Sequence, residues 1–205
     1  MPLPPSQPRT HLHTRNVVFR GYLREDGLWD IEAQMRDTKT YDFDIPGEGV
    51  WPPGSAIHDM TIRVTVDDAL VVREIAADMA SVPHPECPQA QAPMQKMIGA
   101  TMGRGWRQAI EQHLGSVRGC THLRELLFNM ATAAYQTIPS GMALREPSSS
   151  SDTLPKADGD QPPMHLGKCM TWDFNGPTVE RHYPMFFQRD PKARAVLPPA
   201  DGPTR

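Results

Sequence analysis

Three short segments of the chain carry side chains able to do proton or anion chemistry. The first is Gly119-Cys120-Thr121-His122. It stands at the predicted start of a helix, where free backbone N–H groups and the positive dipole end attract anions. That setting eases ionisation of a thiol and keeps an imidazole neutral. Propensity gives no reason for a histidine in a first turn. The competing explanation is structural: Cys120 as a small buried residue, Thr121 as the helix cap.

The second segment is Ile57-His58-Asp59-Met60. An imidazole with an ordinary pKa near 6.5 is a natural proton carrier. In a regular strand His58 and Asp59 leave opposite faces, so both serve one site only if the strand begins irregularly. The third segment is Asp37-Thr38-Lys39. A lysine in a pocket can polarise a carbonyl or, if desolvated, act as a base; on an open strand end it is simply solvated. His58, His122 and Lys39 are the candidate catalytic groups. Cys120, Thr121, Asp59, Tyr22 and Asp30 are the candidate binding groups, Asp30 lying on a polar strand face that is either solvent or a cavity wall.

His58, Cys87, Cys120, His122 and Cys169 are of metal-ligating type. Apart from Cys120-x-His122 their spacings are long and irregular, and no Cys-x-x-Cys pair occurs. A metal ion is therefore the less favoured option, and no metal ligands are assigned. No P-loop, dinucleotide fingerprint or Gly-x-Ser-x-Gly elbow is present, so no organic cofactor is expected.

The elements that must position these groups read as α+β. Residues 17–24 and 29–36 alternate about Asp26-Gly27, a hairpin turn. Trp29, Ile31, Ala33 and Met35 share one face. Met60, Ile62, Val64 and Val66 do the same in the next strand, and 70–79 returns after Asp67-Asp68. Two helices follow, at 103–114 and 121–138; the second has an apolar stripe of Leu123, Leu126, Leu127, Met130, Ala134 and Ile138. Strands followed by helices predict a twisted antiparallel sheet of hairpins packed with two main helices. Residues 1–14 read as a flexible arm, 15–138 as the core domain, and 139–163 as a Pro/Ser-rich disordered linker. Cys169–Phe174 and Thr178–Tyr183, about Asn175-Gly176, read as a hairpin within 164–189 that completes the core, before a flexible tail at 190–205.

The 205 residues are 39% hydrophobic, with 21 basic and 24 acidic side chains for a net charge of −3. No charge block points to nucleic acid, and no apolar run is long enough to span a bilayer. Three widely spaced cysteines do not make a disulfide framework, and the proline-rich start lacks a signal-peptide core, so a reducing, cytoplasmic location is expected. The expected partner is a small-molecule ligand, with self-association left open.

Taken together, His13-Thr14-Arg15, the run from Gly21-Tyr22-Leu23 through Trp29-Asp30-Ile31-Glu32-Ala33, Asp37-Thr38-Lys39, Ile57-His58-Asp59-Met60 and Gly119-Cys120-Thr121-His122-Leu123 resemble a bacterial family, domain of unknown function 2889. Cys169-Met170-Thr171-Trp172 and the region of Pro184 resemble its closing segment. The resemblance implies that the polar segments recur as a set, and it brings no reaction with it. Three readings of function stay open. The first is an acid–base enzyme, of lyase or isomerase type, acting on a small organic molecule such as a carboxylate or aromatic compound. The second is a non-catalytic ligand-binding or interaction domain. The third is a metal-dependent enzyme using the Cys/His set.

Overall fold

The structure is a computed structural model and describes residues 3–145, 160–163 and 165–188. Strands β1 (His13–Leu23), β2 (Trp29–Lys39), β5 (Ala56–Val66) and β6 (Val72–Ser81) form one antiparallel sheet in the order β1-β2-β5-β6. A separate two-stranded ribbon, β3 (Phe43–Ile45) with β4 (Gly49–Trp51), is inserted between β2 and β5. Helices α1 (Trp106–Leu114) and α2 (Thr121–Arg145) follow. The α+β reading of the sequence holds.

Alternation dictates the layers. Trp29, Ile31, Ala33 and Met35 of β2 and Met60, Ile62, Val64 and Val66 of β5 are all buried on one face of the sheet. That face meets Leu123, Leu126, Leu127, Met130, Ala134 and Ile138, the predicted stripe of α2. Trp106 of α1 joins the same core and donates its indole N–H to the Leu127 carbonyl at 2.7 Å. The β1–β2 turn forms as expected, with Gly27 at φ 86°. Among the described residues, no helix is long and apolar enough to cross a membrane.

Three expectations need correction. Strand β1 begins at His13, inside the predicted arm, because its first residues are anchored by polar contacts that apolar periodicity does not register. Residues 139–145, placed in the linker, are the last turns of α2. Pro139 lies inside that helix, but the segment beyond it is held from outside. Gly141 packs against the Trp29 ring, and Arg145 bonds Asp68 at 2.8 Å and the Gly27 carbonyl at 3.0 Å. Tertiary contacts thus offset the local preference. Residues 146–159 of the predicted linker, residue 189 and the predicted tail at 190–205 lie outside the described residues.

The third correction concerns 164–189. In place of a hairpin there is a turn of 3₁₀ helix at Met170–Trp172, a helix α3 (Pro177–His182), and another 3₁₀ turn at Pro184–Phe186. Asn175-Gly176 does turn the chain, with Asp173 accepting the Asn175 N–H at 3.0 Å. But Pro177 then takes the first helical position, where its missing N–H costs nothing. This unit gathers Leu166, Val179 and Tyr183 into a small cluster of its own.

Helix α2 packs tightly on the sheet at Gly21 of β1, where an added Cβ would overlap the Thr137 side chain. Gly21→Ala should lower the unfolding free energy by about 1–3 kcal/mol, the usual penalty of overpacking. Thr137→Ala in the same chain should restore part of it. Urea denaturation of the three variants measures both effects; equal stability of Gly21→Ala and wild type would contradict the close packing.

Candidate functional site

The buried stripe of β2 does not end at Met35. Its next member is Asp37, 3% exposed and on the same face. A buried carboxylate must be paired and hydrogen-bonded, and Asp37 is. Its Oδ1 accepts from Arg15 Nε at 2.8 Å and His13 Nε2 at 3.0 Å; its Oδ2 accepts from Arg15 Nη2 at 2.8 Å and His58 Nδ1 at 3.0 Å. Four donors occupy two oxygens, with Arg15 gripping both in a fork.

Register explains the convergence. Asp37 lies opposite Arg15 in β1 and opposite His58 in β5, and Lys39 lies opposite His13. The β2–β5 ladder slips between Asp37 and Thr38, where Thr38 pairs with Ala56 and leaves Ile57 as the extra residue. The strand thus begins irregularly, but the bulge lies before His58 and does not bring His58 and Asp59 to one site. It leaves His58 on the core face with Met60, and Asp59 on the other.

Helix α2 closes the group from above the sheet. Its first turn sets the His122 ring against that of His58, centroids 4.2 Å apart and planes at 48°. One turn on, Glu125 accepts from Arg15 Nη1 at 3.2 Å. Cys120 Sγ lies 3.8 Å from His122 Nδ1. The Cys120 carbonyl accepts the Arg124 N–H at 3.0 Å, so Cys120 and not Thr121 occupies the cap position. Thr121 is exposed at the first helical position.

Electrostatics separates the roles. Burial pushes the Asp37 carboxyl up, but the Arg15 guanidinium, His13 and His58 outweigh it and hold it down at about 2. Ionised, Asp37 can only accept, so His58 carries its proton on Nδ1 and leaves Nε2 with a free lone pair. His58 is itself pushed below the ordinary 6.5, first by burial and then by His122, against the pull of Asp37. The contact with a carboxylate does not win, because burial and the adjacent His122 outweigh it, with Arg15 adding a smaller push the same way. For Cys120, burial raises the thiol, yet His122 and the backbone N–H groups of Leu123 and His122 bring it below its usual value.

Beside the hub is a cavity of about 320 Å³. Its walls come from β1 (His13, Arg15), β2 (Asp37, Lys39), β5 (Ile57, His58), the ribbon (Phe43, Ile45) and the turn after β6 (Pro83, His84). Lys39 reaches over the faces of Phe43 and Tyr41, at 4.8 and 5.4 Å from their centroids. The span from β1 to the first half of α2 thus contains every member of the hub.

A family model described as a protein of unknown function, DUF2889, matches residues 13–136. The chain belongs to the DUF2889 family. No curated protein and no solved structure matches it. The matched span of the DUF2889 domain opens on His13, the first hub residue, and closes beyond Glu125, the last.

Of the residues singled out by sequence, the domain brings together His58, His122 and Cys120 and puts Lys39 on the same cavity wall as His58. It separates Tyr22, Asp30 and Asp59. These three lie on the opposite face of the sheet, where Asp30 accepts from Thr65 at 2.6 Å and Asp59 from Gln34 at 3.2 Å. Strand alternation makes it impossible for them to share the His58 cavity. Sequence reasoning passed over His13, Arg15 and Asp37 as site residues. The available signal was parity: Asp37 continues the stripe Trp29-Ile31-Ala33-Met35.

A metal would meet a crowded carboxylate. Ligand-type atoms of Asp37, His58 and His122 lie within 4.8 Å of one another. But the Asp37 oxygens already hold four donors, two of them from a guanidinium that repels a cation. The residues that fit a metal are the two histidines, through His58 Nε2 and a nitrogen of His122.

Because the folded pKa of Asp37 is depressed, its stabilising effect is complete above its unfolded value of 3.8 and is lost as pH falls through about 2. Asp37→Asn should therefore cost about 3 kcal/mol at pH 7, and the gap to wild type should shrink as the pH falls from 4 towards 2. Denaturant titrations at pH 7, 4 and 2.5 measure it. A gap that stays constant across that range would refute the ionised hub.

Proposed function

We propose that this protein is an enzyme that moves a proton on a small organic substrate, of lyase or isomerase type and without an organic cofactor. The observation that carries the reading is the pair of buried Asp37 and half-buried His58 at the wall of a cavity. A general base needs a fixed tautomer, an available lone pair and a pKa that leaves it neutral at working pH. Asp37 fixes the tautomer of His58, and burial keeps its Nε2 unprotonated. The substrate proton passes to Nε2 and the electron pair stays on the substrate. His122 packs against the same ring without lining the cavity and helps hold its plane, and Asp37 is a positioning residue.

Incubation in D2O with a panel of small carboxylic acids, ketones and aldehydes tests this, with loss of C–H signals followed by proton NMR. Wild type should wash out the acidic C–H of at least one compound. His58→Gln should slow that exchange by about 10²–10⁴-fold with a melting temperature near wild type. The acid limb of the wild-type rate should have its midpoint below pH 6.5, since His58 loses its lone pair there. Exchange that persists in His58→Gln, or no exchange with any compound, sinks the reading.

A second reading has one observation in its favour, the 4.8 Å grouping of Asp37, His58 and His122. A carboxylate behind a histidine whose other nitrogen faces outward also suits a metal ligand. In that case Zn²⁺ added to chelator-treated protein, at a hundredfold excess over its Kd, should raise the melting temperature by about 5 °C or more. The rise should vanish in His122→Ala. No rise in wild type leaves the metal-free reaction.

A further inference from the structure

We infer that the cavity recognises a monocarboxylate carried on a flat apolar body, with Lys39 as the anchor for the carboxylate; this rests on the reading of the same cavity as the reaction site. The charges of its walls point there. Arg15 is engaged by Asp37 and Glu125, and His84 bonds Glu48 at 3.2 Å. Lys39 makes no ion pair among the described residues, and its ammonium rests over the faces of Phe43 and Tyr41. The one acidic wall residue, Asp37, has its charge matched by the Arg15 fork. The cavity therefore offers an uncompensated positive charge and no free negative one.

Energetics favours an incoming anion over the ring contact. A partly exposed cation–π contact is weaker than a hydrogen bond between two charged groups. A carboxylate can accept from the ammonium while the rings stay beneath it. The remaining walls are apolar: Phe43 and Ile45 from the ribbon, Ile57 from the bulge, Pro83 after β6. They suit a hydrocarbon or aromatic body and give a strongly hydrated polyol or phosphate sugar few partners. Lys39 is two residues from Asp37 on the same strand face, about 7 Å along β2. An anion held there stands a few bonds away from the atom presented to His58.

The experiment uses the full chain and three probes, benzoate, its neutral isostere benzamide, and acetate, with binding read by calorimetry and ligand-observed NMR. Benzoate should bind at least tenfold more tightly than either benzamide or acetate. Lys39→Met keeps the stem over the rings and removes the charge. It should weaken benzoate at least tenfold, leave benzamide unchanged, and melt near wild type. Equal binding of benzoate and benzamide, no benzoate binding at all, or undiminished benzoate binding by folded Lys39→Met would each overturn the inference. Benzoate binding that depends on Lys39, together with no C–H exchange on any compound, would remove the proton-transfer reading and leave the anion site standing.

Discussion

The buried charge of Asp37 is the constraint from which the rest of this domain is arranged. Taking one carboxylate out of water costs several kcal/mol unless its lone pairs are filled and its charge is matched. Filling them requires donors from both neighbouring strands, and matching the charge requires a cation in bidentate contact. Arg15 does the matching, His13 and His58 complete the filling, and each has to come from a strand whose register is held. A slip of one residue in either ladder would turn these side chains to the solvent face and strand the carboxylate. The hub therefore specifies strand register at the end of the sheet where the apolar core gives out.

The same constraint explains which features were legible in the sequence. The middle of each strand and the stripe of α2 obey period and polarity, so Trp29–Met35, Met60–Val66 and Leu123–Ile138 announce themselves. At the hub the pattern inverts, since the residues facing inward are His13, Arg15, Asp37 and His58. Apolar periodicity reads such positions as strand ends or loops, which is why β1 is expected to start at Val17 and Asp37 is passed over. His58 and His122 stand out by residue type, and their meeting depends on a bulge and on helix docking that no local pattern encodes. The end of α2 misleads for a related reason. Pro139 is a local stop signal, overruled by the contacts of Gly141 with Trp29 and of Arg145 with Asp68. At 169–183 the alternation is mimicked by a short helix whose first residue is proline.

Burial decides the charge state that His58 favours. A lone aspartate behind a histidine raises its pKa and favours the imidazolium. Here burial, first, and the neighbouring His122, second, outweigh the pull of the carboxylate, and Arg15 adds a smaller push the same way. Asp37 therefore orients His58 without charging it. Glu125 of α2 meets the outer edge of the Arg15 guanidinium, so the start of the helix and the sheet end of the hub touch through one side chain.

The parts of the site also differ in how freely they can vary. The hub is fixed by ladder register and by the cost of an unpaired buried charge. The ribbon β3–β4 hydrogen-bonds to itself and forms no part of the main sheet, yet it contributes Phe43 and Ile45 to the cavity. Its link to the turn after β6 is the exposed contact of Glu48 with His84, which is worth little energetically. Changes in ribbon length or in its apolar side chains would reshape the cavity without disturbing Asp37, Arg15 or His58. The buried hub on the sheet and the apolar side chains on the ribbon are thus held by contacts of unequal strength, so the cavity can change shape while the hub stays fixed.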